Sequence, residues 1–423
     1  MKIGIDASRA FIKNRTGIEE YSYQVIKNLR DKLKDRQVVL YVKKTYNLQL
    51  TTYNGVVKIN DLELPKSWQI KVIKFPRFWT QLGLSLEMIL HPVDVLFVPA
   101  HTVPAVHPAR NATRLFNNSF VWYIRKFFNN KEDWQYSHSV AGGPKNTIVV
   151  IHGLEYEFCP NAYSWWDRVY MRGTIKKSCQ WAKTIISVSN NTKLDLIKLY
   201  KVPDEKIRVI YEGYDSHQSS AISHQETKTS DKSDDRLLMT DDKFLLFVGR
   251  IEERKNVGNI IKAFEILKEE YNILHKLVLA GKPGHGYENI KYQITNSKYK
   301  ESIAELGFVS EEEKWELLKK ADVFVFPTLY EGFGIPVLEA QSVGCAVVAS
   351  NNSSIPEIIA VEARLIAPLQ LVNPQDPQDI AQALYKIISD ETLKNAIIQK
   401  GLENVKRFSW DKCAQEIAEV LLK

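Results

Sequence analysis

The chain has 423 residues, 44% of them hydrophobic and 25% charged, with 57 Lys and Arg against 50 Asp and Glu for a formal charge of +7. That length exceeds one ordinary hydrophobic core, so two domains are expected, and the composition excludes disordered, collagenous and disulfide-stapled classes. The modest positive excess suits an anionic ligand or an anionic membrane surface, while the absence of an Arg/Lys-rich recognition helix or zinc spacing points away from nucleic acid.

The cysteines Cys159, Cys179, Cys345 and Cys413 are scattered, with no CxxC pair, and read as free thiols of a reducing compartment. The start, MKIGIDASRA, goes straight into a strand and lacks the apolar stretch of a signal peptide. The longest apolar candidate, Leu82–Pro99, is interrupted by Glu87, His91 and Asp94, so no membrane-spanning helix is expected. The expected location is cytoplasmic, at most peripheral to the inner face of a membrane.

Lys2–Asp6 reads as a strand, followed by the loop Ala7–Gly17 and a helix from Ile18 with Tyr21, Val25, Ile26 and Leu29 at helical spacing. Gly17 therefore sits at a strand–loop–helix junction. The loop is not a GxGxxG, so no dinucleotide cofactor is indicated. Further strands are predicted at Val38–Val42, Val56–Ile59, Ile70–Ile73 and Val95–Val98, with a helical stretch around Phe78–Leu90. This alternation predicts a parallel α/β domain. Residues His107 to Asn146 are basic and aromatic, with Arg125, Lys126, Trp122 and Tyr123 among them. They read as an acceptor-binding flap, a membrane-surface contact or a surface subdomain with its own small core.

Thr147–Ile151 is the next strand and ends in His152-Gly153. A histidine at the carboxyl end of a strand lies where open α/β sheets bind ligands. A helix over Tyr163–Trp181, a strand at Thr184–Val188, a helix at Asn190–Tyr200 and a strand at Ile207–Ile210 complete the first half. Ser216–Asp242 is polar and nearly free of large apolar residues, the signature of a flexible linker.

The second half begins with the strand Phe244–Val248 and the loop Gly249–Asn256, in which Arg250 and Lys255 read as cations that neutralise a diphosphate or, alternatively, as ordinary surface charge. Leu277–Ala280 is a strand ending in the turn Gly281-Lys282-Pro283-Gly284. Val323–Phe326, closed by Pro327, reads as a buried parallel strand. The loop Glu331-Gly332-Phe333-Gly334 then leads into a helix near Pro336, which Gly344 ends. Unpaired amides at such a helix start attract an anion, and glycines let it approach. Carboxylates beside it, Glu331 and Glu339, make sense as acceptors for ligand hydroxyls. Phosphate plus many hydroxyls describes a sugar nucleotide; the alternative is an ordinary loop acid and helix acid. An amphipathic helix from about Phe408, with Trp410, Ile417, Val420 and Leu421, closes the chain.

The ordered set IGIDAS…TGIEEY, IHGLEYEF (Ile151–Phe158), GRIEERKN (Gly249–Asn256) and EGFGIPVLEA (Glu331–Ala340), with seven residues between its glutamates, resembles the retaining glycosyltransferases of family 4, the group 1 transferases. The resemblance implies an α/β GT-B fold, two Rossmann-like parallel-sheet domains facing across a cleft. The expected divisions are an acceptor-side domain at 1–215, a linker at 216–242, a nucleotide-sugar domain at 243–407, and a helix at 408–423 crossing back. It implies that Arg250 and Lys255 contact the donor diphosphate and that Glu339 binds the ribose. Glu331 and the Phe333-Gly334-Ile335 backbone would hold sugar and phosphates, with Gly17, Gly249 and Gly281 lining the donor site. His152 would face the reacting sugar carbon, and His152, Arg250, Lys255 and Glu331 are the expected catalytic residues.

No DxD triplet occurs, so no metal and no cofactor are expected. The expected partners are a nucleotide sugar, a glycan or lipid-linked acceptor, and a membrane surface met through residues 107–146. The N-terminal motifs with IPEI (Ile355–Ile358) are similar to mannosyltransferases of surface-polysaccharide assembly, which implies GDP-mannose as donor. Alternatives are a GT-B sugar-nucleotide epimerase, a glycogen-synthase-like enzyme and a binding protein without turnover. Two departures from the family pattern stand out: the N-terminal glycine loop has one glycine where many members have two, and the basic aromatic stretch has no counterpart.

Overall fold

A computed structural model describes residues 1–12, 15, 17–44, 49–53, 56–60, 62–75, 79–104, 146–214, 243–359 and 370–423. The basic aromatic stretch up to residue 145 and the linker 216–242 lie outside these residues.

Among the described residues, a seven-stranded sheet runs in the order Ile207–Val209, Thr184–Ser187, Asn146–Ile151, Val95–Val98, Lys2–Asp6, Gln37–Lys43, Trp68–Ile73. A six-stranded sheet runs in the order Ile303–Gly307, Lys276–Ala280, Phe244–Val248, Val323–Phe326, Ala346–Ser350, Leu371–Val372. Every pairing in both sheets is parallel. Strands such as Val323–Phe326 are buried along their whole length, because helices cover both faces of a parallel sheet. In each sheet the strand order reverses at the domain's first strand, Lys2–Asp6 or Phe244–Val248. The crevice beyond the carboxyl ends at such a point is where open α/β sheets receive ligands. The two parallel-sheet domains form a GT-B fold with its cleft between them.

Val56–Ile59 departs from the expected alternation. It pairs antiparallel with Leu50–Tyr53 and Leu62–Glu63 in a separate three-stranded sheet. A parallel neighbour needs a crossover of about a dozen residues, whereas each of these strands follows the last after two residues in sequence, Asn60 standing at φ 51° before the third. The helical stretch before Leu90 also divides, into a π-helical Trp79–Leu84 and an α-helical Ser85–Leu90.

The last helix, Trp410–Leu421, returns to the first domain. Trp410, Cys413, Ala414, Ile417 and Leu421 share a core with Tyr21, Val25, Ile26 and Leu29 of the helix Ile18–Lys32. Phe333, Leu338 and Ile358 of the second domain enter the same cluster. The two chain passages between domains touch at Gly213, where a Cβ would lie 2.2 Å from the Trp410 nitrogen. All four cysteines are unbridged.

At the amino end of Val323–Phe326, buried Asp322 accepts from His275 Nε2 at 2.9 Å and from the Lys394 ammonium. Burial opposes its ionisation, but these two donors outweigh burial and hold the Asp322 carboxyl at about 2. Because the folded value lies below the ordinary one, the stabilisation is complete above about pH 4 and is lost as pH falls toward 2. Asp322→Asn is expected to cost about 2 kcal/mol at neutral pH. In denaturant titrations the gap between wild type and variant should close across that acid window and stay constant above it.

Candidate active site

The loop after Phe244–Val248 builds one wall of the cleft. Gly249 and Gly281 both have φ 153°, and a Cβ on Gly281 would lie 1.7 Å from the Gly249 carbonyl oxygen. Only glycine lets these two loop backbones come so close. The loop then makes a 3-10 turn over Glu253–Lys255 and closes on Asn256 at φ 63°. The Asn256 amide donates to the carbonyls of Pro327 and Pro374, at 2.8 and 2.5 Å, which fixes the turn against the end of Val323–Phe326.

This turn drives two neighbouring cations inward. Lys255 Nζ donates to Glu331 Oε1 at 2.6 Å, and Arg254 Nη1 donates to the same oxygen at 3.1 Å. Arg254 also donates to the Tyr330 carbonyl at 3.0 Å and to Glu252 Oε1 at 3.0 Å. Burial opposes ionisation of Glu331, but Lys255 and Arg254 outweigh it and hold its carboxyl below the ordinary glutamate range. Burial pulls Lys255 below the ordinary lysine range; Glu331 opposes that pull and Arg254 adds to it. Burial works against Arg254 as well, but Glu331 and Glu252 raise it above the usual arginine value. Arg250 stands apart: its side chain is 67% exposed, with Nε 3.5 Å from Glu252 Oε2.

Serine hydroxyls hold the opposing loop. Glu331 N donates to Ser353 Oγ at 3.1 Å, and Ser354 Oγ donates to the carbonyls of Glu331 and Phe333 at 3.0 and 2.6 Å. Gly334, at φ 122°, precedes the helix Ile335–Ser342, which has Pro336 in its first turn and no side-chain cap. Pro336 has no N–H and Val337 N donates to the Gly334 carbonyl at 3.0 Å, so within the first turn it is the Ile335 amide that is left to meet an anion. The Phe333 ring is buried beside Tyr211 and Phe408, so Phe333 offers the site its backbone rather than its side chain. Ile335 packs against the same cluster. Glu339 is held 2.8 Å from Lys314, which also meets Glu311.

The first domain contributes His152 at the end of Asn146–Ile151. Its Nδ1 lies 3.0 Å from Glu212 Oε1 and its Nε2 lies 3.0 Å from the Pro99 carbonyl. Both ring nitrogens thus face oxygen atoms, which fixes the orientation of the ring. The His101 ring is 5.3 Å away, and its buried Nδ1 has no partner among the described residues. Burial pushes His101 well below the usual histidine range, with His152 and Arg9 acting the same way. Gly17, at φ 44°, opens the helix Ile18–Lys32, and among the described residues nothing lies within 4 Å of where a Cβ would sit on it.

The two walls touch. A Cβ on Gly332 would lie 1.6 Å from the His152 carbonyl oxygen. Tyr330 Oη donates to Asp195 at 2.7 Å and accepts from Leu154 N. Glu357, the acid of IPEI, accepts from the amides of Asn190 and Asn191, each at 3.0 Å, at the start of the helix Asn190–Tyr200.

Of the residues singled out in the sequence, Lys255 and Glu331 are in direct contact, and the backbones of Gly249 and Gly281 pack against each other. Arg250 meets neither of the pair. Arg254, Glu252, Glu212 and Lys314 were not singled out. Arg254 and Glu252 had a visible signal, since both lie within GRIEERKN close to Lys255; Glu212 and Lys314 join the site through contacts distant in sequence.

The Glycosyltransferase Family 4 model matches residues 16–218, and the Glycosyl transferases group 1 model matches residues 229–404. The uncharacterized glycosyltransferase MJ1607 of Methanocaldococcus jannaschii is 32% identical over 301 residues, spanning 68% of this chain and 73% of that protein. The chain belongs to the group 1, family 4 glycosyltransferases. Within this glycosyltransferase family it is also similar to the O-antigen chain mannosyltransferase B of Escherichia coli, 28% identical over 274 residues, 64% of this chain and 69% of that one. Anabaena Alr3699/HepE, solved in complex with UDP and glucose, shares the fold of this glycosyltransferase, with a TM-score of 0.65 at 16% identity over 100% of this chain and 99% of that one.

Proposed function

We propose that this glycosyltransferase moves a hexose with retention of configuration, from a nucleotide sugar to a glycan or lipid-linked acceptor in surface-polysaccharide assembly. The donor proposed first is GDP-mannose, supported by the mannosyltransferase name of the Escherichia coli relative. The observation that carries the reading is the Arg254–Lys255 pair gathered on one oxygen of Glu331.

Breaking the bond between sugar and diphosphate leaves negative charge on the departing oxygen. Lys255, Arg254 and Arg250, with the Ile335 amide at the start of Ile335–Ser342, are placed to take up that charge. Groups fixed in advance stabilise the transition state more than the ground state, which is what speeds the chemical step. Glu331 balances the two buried cations and keeps them in place, and a bound diphosphate would share that balance. Glu339 serves the ribose and Gly17 the phosphates. His152, oriented by Glu212 and the Pro99 carbonyl, faces the reacting sugar carbon in this reading. In this reading the acceptor hydroxyl attacks on the face the leaving group departs from, and the leaving phosphate takes its proton.

The enzyme is proposed to work without a metal. No DxD triplet occurs, and among the described residues no group of three His, Cys, Asp or Glu side chains is placed to hold one. The test is a panel of nucleotide sugars with mass detection of the product, run with and without chelator. GDP-mannose should give a product heavier by one hexose at the same rate in both conditions. Transfer from UDP-glucose alone would overturn the donor, and loss of turnover on chelation would overturn the metal-free reading.

A further inference from the structure

The helix Trp165–Trp181 has an unusual outward face. Its buried side carries Ile175, Ser178 and Cys179. Positions 165, 166, 169, 170, 173, 176, 177, 180 and 181 recur at helical spacing and form one continuous exposed arc. A solvent face normally carries charges of both signs. Here Trp165 is 62% exposed, Trp166 74% and Tyr170 57%, with Val169 beside them. Lys176 and Lys177 follow on the same arc, and no carboxylate lies on it. The helix's acid, Asp167, sits at the edge of the arc, where it accepts from Ser164 Oγ. Arg172 is also turned aside, paired with Glu157.

We propose that this helix is a docking surface for an anionic bilayer. Tryptophan and tyrosine favour the headgroup level, where an apolar ring and a polar edge are both satisfied. Lysines among them meet lipid phosphates, and an acid-free arc adds no repulsion. At 17 residues the helix is about 25 Å long and lies along the surface. No helix among the described residues is long and apolar enough to cross a membrane. The helix begins two residues after Tyr163, whose hydroxyl donates to Glu155 at 3.4 Å beside the cleft. A bilayer on this face would thus bring lipid-linked substrates to the edge of the cleft. The surface lies on a different element from residues 107–146 and does not depend on which donor is used.

The test is sedimentation of the full chain with vesicles of phosphatidylcholine, with and without phosphatidylglycerol. Wild type should pellet with the anionic vesicles only, less so as salt rises. Lys176→Gln with Lys177→Gln should weaken partitioning about thirtyfold. Trp165→Ser, Trp166→Ser and Tyr170→Ser together should abolish it. Both variants should keep the wild-type melting temperature and its rise with nucleoside diphosphate, so a failed donor reading would show separately. The proposal is overturned if wild type ignores both vesicles, if the variants bind as wild type does, or if the variants melt at a markedly lower temperature. It is equally overturned if the aromatic variant only converts a dimer to a monomer, which would make a second copy the occupant.

Discussion

Lys255→Ala is expected to lower turnover by about two to three orders of magnitude, the usual cost of removing one fixed donor from a developing negative charge. The fold should survive, because Glu331 keeps Arg254 at 3.1 Å and is not left as an unpaired buried carboxylate. The loss should appear mainly in kcat. The ammonium meets a ground-state diphosphate whose charge is already spread, and its advantage grows as the bond to the sugar breaks. Steady-state kinetics with a saturating donor, beside a melting curve, measure both effects. An unchanged kcat would remove Lys255 from the reaction.

Glu331→Gln should act in the opposite order, on stability before chemistry. Lys255 would then lose its balancing carboxylate, while Arg254 would keep, among the described residues, only Glu252. Leaving buried charge uncompensated costs about 3 kcal/mol or more, so the empty variant should melt well below wild type. A bound diphosphate supplies the missing negative charge. The rise in melting temperature on adding nucleoside diphosphate should therefore be larger in the variant than in wild type. An equal or smaller rise would mean that the diphosphate does not replace the carboxylate's role at the two cations.

The parallel sheets were legible because their strands are short apolar runs bounded by glycine and proline, as at Val323–Phe326 before Pro327. Val56–Ile59 was legible as a strand but not in its partner, since antiparallel pairing follows from turn length rather than from its own residues. The site was legible by position and less so by side chain. The sequence marks Arg250 and Lys255, yet the turn closed by Asn256 turns Arg254 inward and leaves Arg250 largely exposed. That choice depends on backbone geometry that periodicity does not encode. The His152–Glu212 contact spans 60 positions, and Lys314 reaches Glu339 from a neighbouring helix. Pairings of this kind exist only once the sheets are assembled. Phe333 reads as a site residue from its motif, but hydrophobic packing with Tyr211 and Phe408 claims its ring.

The most direct measurement is calorimetric titration of wild type and Lys255→Ala with GDP and guanosine, and in parallel with UDP and uridine. For whichever base binds, the diphosphate should bind wild type far more tightly than the bare nucleoside, and most of that advantage should vanish in Lys255→Ala while nucleoside binding stays the same. Equal affinity of diphosphate and nucleoside for wild type, or an advantage untouched by the substitution, would contradict a diphosphate held by the cations gathered on Glu331.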